Sequence, residues 1–286
     1  MSIPGLQDVD MTTTHDRSRR RSALIALDID GTIAHPGTTE ISDAVRAAVA
    51  DVLAAGHHVV LATGRSLVGV LPVARLLQLA EGWIVASNGA VTARIAPQAS
   101  GGYQLHNVQT FDPRPVVRRA RSAYPGVQIA AEEVGRGYRV TRMFAPSEVN
   151  GAQRHVDADQ IADRPTTRLI LRSPGITALR HKLQAGGVTV NPYGPNWLDV
   201  TPPHLSKATA LENIRTLLDV HERRTTALGD GVNDIEMLTW ANRGVAMGHA
   251  PAEVLAAAGD VTATLAEDGA AAVLRSLLPE TIPAVR

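Results

Sequence analysis

The sequence predicts a doubly wound α/β fold, a parallel sheet with helices on both faces, interrupted by a second domain of α+β type. Three observations predict it. Apolar runs at 23–29 (ALIALDI), 58–62 (HVVLA) and 83–86 are too continuous for strands with one wet face, and fit strands buried on both sides. Helical stretches alternate with them at the spacing of successive βα units. The texture then changes near Asn88-Gly89 and the α/β pattern resumes after about 191.

Taken in order, 23–29 is the first strand and stops at charged and glycine residues. The stretch 41–55 places Ile41, Val45, Val49 and Val52/Leu53 at intervals of three and four, one buried stripe of a helix, with Gly56 as its C-terminal stop. Next come the 58–62 strand, a helix after Ser66, and the 83–86 strand. The middle region offers strand-like pieces at 127–130, 138–141, 167–171 and 188–190, with helices at 115–123 and 176–185. Beyond it, 206–220 reads as helix, 225–228 as a buried strand and 235–241 as helix, followed by short strands near 244–247 and 261–262. No internal repeat or low-complexity block interrupts this order.

Composition narrows the function classes. The 286 residues contain 28 basic and 28 acidic side chains, no cysteine, 44% hydrophobic and 3% aromatic residues. At roughly 150 residues per domain this is one large domain or two ordinary ones. The absence of cysteine excludes disulfides, thiolate zinc sites, iron–sulfur clusters and a cysteine nucleophile. Neutrality argues against a generally basic nucleic-acid binder. No apolar run approaches the ~20 residues that span a bilayer; the best uncharged stretch is 52–64. Residues 1–21 are polar and end in Arg19-Arg20-Arg21, without the apolar segment of a secretory signal. They are expected to be a disordered tail or a short basic arm, and the chain is expected to be cytoplasmic. Between 112 and 187 there are 13 basic and 7 acidic residues, so the remainder of this neutral chain carries the matching acidic excess.

In an open parallel sheet ligands bind beyond the carboxyl ends of the strands. The residues there are Asp28-Ile29-Asp30-Gly31-Thr32, then Thr63-Gly64-Arg65, then Gly229-Asp230-Gly231-Val232-Asn233-Asp234, with Ser206-Lys207 opening a late helix. Two carboxylates two residues apart share one side of an extended segment, so one can attack while the other moves protons. A hard divalent cation takes oxygen ligands, and a lysine and a threonine suit phosphoryl oxygens. Singly, each motif has a plain structural reading. Asp28–Thr32 can be a strand and a glycine turn, Thr63 and Ser206 can cap helices, and Lys207 can be an exposed lysine. Jointly, in this order and each at an element end, they point to one phosphoryl-transfer crevice. The middle-region arginines, notably Arg118, Arg119 and Arg121, fit either a solvated helix face or recognition of a second anionic group. No aromatic interleaving supports nucleic acid.

With these residues quoted, the chain resembles the haloacid dehalogenase (HAD) superfamily, and more closely its Cof-like branch of phosphatases with a large α+β cap. LDIDGT is similar to the first motif, LATGRS to the second, LSKATAL to the third and LGDGVNDIEML to the fourth. Ser87-Asn88-Gly89-Ala90, Val245–Gly248 and Glu267-Asp268-Gly269 extend the likeness. The resemblance implies a Rossmann-like core made of 22–90 and 191–286, with a substrate-selecting cap over 91–190. It implies Asp28 as nucleophile and metal ligand, and Asp30 as acid/base that gives a metal its backbone carbonyl. Thr63, the Gly64 amide, Lys207 and Asn233 would hold phosphoryl oxygens. Asp230 would bind Mg²⁺ directly and Asp234 through water. One departure is Gly248-His249-Ala250, where relatives often read Gly-Asn-Ala; His249 lies outside the central constellation. The expected activity is Mg²⁺-dependent hydrolysis of small phosphorylated metabolites, sugar phosphates foremost, with flavin mononucleotide and pyridoxal phosphate also used in this branch. The alternatives are a phosphomutase with the same aspartyl-phosphate chemistry and a metabolite sensor without turnover. Neither a nucleic acid nor a membrane is expected as a partner, and the oligomeric state is not legible.

Overall fold

The computed structural model describes residues 22–279; the expected N-terminal tail at 1–21 lies outside them. The first apolar run forms β1 (Leu24–Leu27), every residue of which is buried. It lies in the interior of an eight-stranded sheet, hydrogen-bonded to β2 (His58–Ala62) on one side and to β12 (Thr225–Gly229) on the other, both parallel. Beyond β2 come β3 (Trp83–Ala86), β4 (Val91–Ile95) and β5 (Tyr103–Val108); beyond β12 come β13 (Arg243–Ala246) and β14 (Asp260–Val261). Helices α1 (Asp43–Ala54) and α2 (Leu67–Leu76) pack on one face together with α9 (Gly269–Arg275). Helices α6 (Lys207–Leu217), α7 (Ile235–Trp240) and α8 (Ala252–Ala257) cover the other. Strands covered on both faces need apolar side chains throughout, which is why β1, β2 and β3 read as unbroken apolar runs.

The second unit is a six-stranded sheet built from β6 (Gln128–Glu133), β7 (Gly137–Val140), β8 (Ala152–His155), β9 (Leu169–Arg172), β10 (Thr189–Pro192) and β11 (Trp197–Thr201). Its order is β10-β11-β9-β6-β7-β8, antiparallel except for β7 with β8. Helix α3 (Arg114–Ala123), the short α4 (Ala158–Ile161) and α5 (Arg180–Gln184) supply one apolar layer. On the opposite face Tyr138, Val140, Phe144, Val149 and Ile170 form a smaller cluster.

Strand membership departs from the expected limits of 91 and 190. β4 and β5 are antiparallel additions to the first sheet, and β11 belongs to the second. β5 (YQLHNV) is exposed along nearly its whole length. As an edge strand it does not carry the apolar signature that marks its interior neighbours. The 176–185 helix divides into a 3₁₀ turn over Ile176–Leu179 and α5, after Gly175 in a left-handed conformation (φ 68°).

Candidate active site

The carboxyl ends of β1, β2, β3 and β12 converge, because the parallel register puts equivalent strand ends side by side. The Asp28 amide donates to the Leu228 carbonyl at 3.0 Å, and the Thr63 amide to Val85 at 2.8 Å. Asp28, the first residue beyond β1, is buried. Its Oδ1 accepts from Lys207 Nζ at 2.6 Å, and the same ammonium donates to Asp234 Oδ1 at 2.6 Å. Lys207 is the first residue of α6 and fully buried. The helix starts there because Ser206 accepts from the Thr209 amide while Thr209 answers to the Ser206 amide, a reciprocal capping box. Ser206 is thus a cap, as one reading had it. Lys207 is the opposite of an exposed lysine.

Oxygen atoms of Asp28, Asp230 and Asp234 all lie within 4.8 Å of one another. Asp234 Oδ2 accepts from the amides of Asp230 (3.1 Å) and Gly231 (2.9 Å), which folds the β12–α7 loop around it. Asp230 Oδ1 accepts from the Thr32 hydroxyl at 3.0 Å, joining the first and last motifs. Gly31 (φ 82°) makes that approach possible, since a Cβ there would lie 2.2 Å from Asp230 Oδ2. Burial pushes the Asp28 carboxyl well above its usual range; Asp234 raises it further and Lys207 opposes them. Asp230 is pushed up to about 6 by burial and then by Asp234, against the Thr32 hydrogen bond. Burial works against the Lys207 charge, yet Asp234 and Asp28 outweigh it and hold the ammonium above its ordinary range. Three clustered carboxylates against one ammonium leave surplus negative charge with an all-oxygen donor set. Those residues fit a hard divalent cation.

Asp30 sits apart from this cluster. Arg65 grips its carboxylate with a two-pronged pair, Nε to Oδ2 at 2.8 Å and Nη2 to Oδ1 at 2.6 Å, and Arg65 also donates to the Thr38 carbonyl at 2.7 Å. The Gly37 amide donates to Asp30 Oδ1 at 2.8 Å. The extended geometry expected across Asp28 and Asp30 ends with β1, because the amides of Thr32, Ile33 and Ala34 all turn back onto the Ile29 carbonyl. The two carboxylates therefore have different partners.

Thr63 is buried, and its hydroxyl accepts from the Arg65 amide at 3.1 Å. It is not the cap of α2, a position that Ser66 fills. Asn233 Nδ2 donates to Asn88 Oδ1 at 2.9 Å. A Cβ on Gly64 would lie 3.4 Å from Asn88 Oδ1 and 3.7 Å from Asn233 Nδ2, so the Gly64 backbone borders the same space. His249 Nε2 stands 3.7 Å from Asp230 Oδ2, an electrostatic contact with one of the three carboxylates.

Sequence reasoning assigned no role to Thr32, Arg65 or Asn88, although each stands inside a quoted motif, Arg65 directly after the selected Gly64. It gave no sign of Tyr193, which follows β10 and whose amide donates to the Trp197 carbonyl at 3.1 Å. Partial burial raises the Tyr193 hydroxyl, and Asp30, Asp230, Asp199 and Asp28 raise it further. The α3 arginines follow the bland reading: Arg118, Arg119 and Arg121 are exposed. Arg119 donates to the Lys182 carbonyl (2.9 Å) and Arg121 pairs with Asp159 (3.3 Å). Two arginines of the second unit are buried, Arg139 on β7 and Arg168 just before β9; Arg168 is bonded to Asp199 Oδ2 at 2.5 Å and to the Tyr138 hydroxyl at 3.0 Å.

No helix of the described residues is long and apolar enough to cross a membrane. Comparison with known proteins agrees with the motifs. Residues 25–112 and 169–274 match the family described as haloacid dehalogenase-like hydrolase. The chain is 26% identical over 305 residues to the Bacillus subtilis phosphatase YwpJ, covering 89% of this chain and 99% of that one. It is 27% identical over 260 residues to the B. subtilis 5-amino-6-(5-phospho-D-ribitylamino)uracil phosphatase YcsE, covering 88% and 94%. Among solved structures, the HAD subclass IIB sugar phosphatase BT4131 superposes with a TM-score of 0.74 at 23% identity, over 90% of this chain and 100% of the other. The chain belongs to the haloacid dehalogenase-like hydrolases, in their Cof-like branch.

Proposed function

We propose that this protein hydrolyses phosphomonoesters of small metabolites, sugar phosphates foremost, through a phosphoaspartate on Asp28 with Mg²⁺ as cofactor. The observation that carries the reading is the clustering of Asp28, Asp230 and Asp234 around the buried ammonium of Lys207. The curated relatives named as phosphatases support it, and one of them acts on a phosphorylated ribityl chain.

The chain's own residues divide the work. A carboxylate oxygen of Asp28 attacks phosphorus in line, and the bond from phosphorus to the leaving oxygen breaks as Asp30 gives that oxygen a proton. Asp30 then takes a proton from water as the water attacks the same phosphorus, releasing inorganic phosphate and restoring Asp28. Lys207 orients Asp28 and offsets charge on the phosphoryl oxygens, which Thr63, the Gly64 amide and Asn233 also hold. Arg65 orients Asp30 through both carboxylate oxygens, and one of these bonds must give way for Asp30 to carry the proton. Asp28, Asp230, the Asp30 carbonyl and, through water, Asp234 would hold Mg²⁺, which would offset the repulsion between an anionic nucleophile and an anionic phosphoryl group. The second sheet with its helices, acting as a cap, selects the leaving group, with the exposed Tyr193 after β10 as its candidate contact.

The test is inorganic phosphate release from a panel of phosphorylated metabolites, with Mg²⁺ and with chelator, on wild type and Asp28→Asn. Release that requires metal and falls at least about 10³-fold in the variant, with an unchanged melting profile, is expected. Substantial turnover by Asp28→Asn would overturn the assignment of the nucleophile.

A further inference from the structure

One buried carboxylate has no part in this chemistry. Glu132, near the end of β6 in the cap sheet, is 5% exposed. Its Oε2 accepts from the Ser87 hydroxyl at 2.6 Å and from the Thr167 hydroxyl at 2.8 Å. Its backbone is anchored in the cap, the amide donating to the Arg168 carbonyl at 3.0 Å. Thr167 belongs to the cap, whereas Ser87 belongs to the catalytic core, directly after β3. The bond from Ser87 to Glu132 is therefore a buried tie between the two units.

Ser87 is the start of an unusual backbone segment. Ser87, Asn88 and Gly89 all have positive φ, at 51°, 54° and 104°. Side chains other than glycine rarely adopt that conformation, and it persists only where the surroundings impose it. The restraints are visible. The Ser87 amide donates to the Arg65 carbonyl (2.8 Å) and the Asn88 amide to the Thr63 carbonyl (3.1 Å). A Cβ on Gly89 would lie 2.4 Å from the Ser206 carbonyl oxygen, so the segment is wedged against the residue that caps α6. From the cap comes the Glu132 carboxylate. Asn88 then presents Oδ1 to Asn233, beside Gly64.

Burial raises the Glu132 carboxyl against the Ser87 hydroxyl, Arg168, the Thr167 hydroxyl and the Leu67 backbone amide at the start of α2. A buried carboxylate is costly compared with an apolar or amide side chain of similar size unless its donors are held in place. What it supplies is a strong, directed acceptor for the Ser87 hydroxyl.

We propose that Glu132 is a positioning residue through which the docked cap completes the phosphate pocket. By holding Ser87 it fixes the left-handed turn at Asn88, and Asn88 in turn aims the Asn233 amide. The proposal rests on the phosphatase reading for what the pocket holds, but not for the linkage itself. A cap that swings away loses this bond and relaxes the turn, so phosphoryl binding and cap docking are coupled.

The test uses the full chain with Mg²⁺ and compares wild type with Glu132→Ala, Glu132→Gln, Ser87→Ala and the Glu132→Ala/Ser87→Ala double variant. Calorimetry reads inorganic phosphate affinity, steady-state kinetics separate KM from kcat, and amide hydrogen exchange reports on Asn88. Glu132→Ala and Ser87→Ala should each weaken phosphate binding and raise KM by about tenfold, the loss of one charge-assisted hydrogen bond. Their kcat should change less than KM, and Asn88 exchange should accelerate. The double variant should match the singles, and Glu132→Gln, which keeps an acceptor oxygen, should recover most of the loss. A lowered melting temperature with unchanged phosphate affinity, or additive losses in the double variant, would overturn the proposal. Ser87→Ala deletes only a hydroxyl and decides the matter if Glu132→Ala does not fold. Should wild type release no phosphate, the phosphatase reading fails, and Asn88 exchange still judges the linkage. Acceleration in the variants supports it; equal rates overturn it.

Discussion

One buried cluster of opposite charges lies at the carboxyl ends of the core strands and another in the cap sheet. In the core, Lys207 faces Asp28 and Asp234, with Asp230 alongside. In the cap, Arg168 is bonded to Asp199 and Tyr138, and the Trp197 indole donates to the other Asp199 oxygen at 2.9 Å. Both lie in low-dielectric surroundings, yet their electrostatics diverge. In the core, burial and then Asp234 push the Asp28 and Asp230 carboxyls upward, and Lys207 only partly offsets them. In the cap, Asp199 and then Tyr138 hold the Arg168 charge against burial, while burial pushes the Tyr138 hydroxyl up to about 12. Burial thus accompanies an acidic cluster whose oxygens fit a cation in one place, and a structural brace in the other.

The largest separation of the two should come from Lys207→Met. It leaves Asp28 and Asp234 facing each other without their ammonium, and breaking a buried pair this way costs about 3–5 kcal/mol. Denaturant unfolding of metal-free protein should register that loss at neutral pH, and added Mg²⁺ should recover part of it. An unchanged unfolding free energy would remove the core cluster's claim to be electrostatically strained.

Asp199→Asn breaks the cap pair while keeping its shape, and should destabilise by about 2 kcal/mol. Mg²⁺ affinity, measured by calorimetry, should not move. A shift in metal affinity would show that the two clusters are not independent.

Metal and pH sharpen the same contrast. Asp230 has its folded-state value raised to about 6 from an ordinary 3.8, so the metal-free folded state binds this proton more tightly than the unfolded chain does. The raised carboxyl is a penalty above pH about 6 that is progressively relieved as pH falls from there toward the unfolded value. Mg²⁺ must displace the proton below pH about 6, where its apparent affinity should fall by up to about tenfold per pH unit. The rise in melting temperature on adding Mg²⁺ should therefore be larger at pH 7.5 than at pH 5. A rise that is the same at both would contradict the assignment of Asp230 as a ligand.

The smallest effect is expected from Tyr193→Ala. The residue is 66% exposed, so stability should be unchanged, while KM for the preferred phosphomonoester should rise about threefold to tenfold. An unchanged KM across the substrate panel would remove Tyr193 from the leaving-group contacts.

The core was readable because its chemistry is tied to strand ends. Asp28, Thr63 and Asp230 each follow an apolar run that could only be an interior strand, so their convergence followed from the parallel topology. Lys207 could be selected from its motif, but its burial depends on two carboxylates, at positions 28 and 234, that no local pattern reveals. The cap was less legible. β5 is an exposed edge strand and β8 (AQRH) lacks an apolar alternation, so neither stood out. The Arg168–Asp199 pair joins two strands of an antiparallel sheet whose pairing is set by register rather than by sequence neighbours. Glu132 and Ser87 are 45 positions apart, and their bond exists only because the cap docks on the core.

The central claim is that Asp28 forms a covalent bond to phosphorus. Its most direct test is acid quenching during steady-state turnover, followed by peptide mass spectrometry of the quenched protein. The account predicts a phosphoryl group on Asp28, absent from the Asp28→Asn variant and from samples without Mg²⁺. Rapid turnover with an unmodified Asp28 peptide, together with activity surviving in Asp28→Asn, would contradict it.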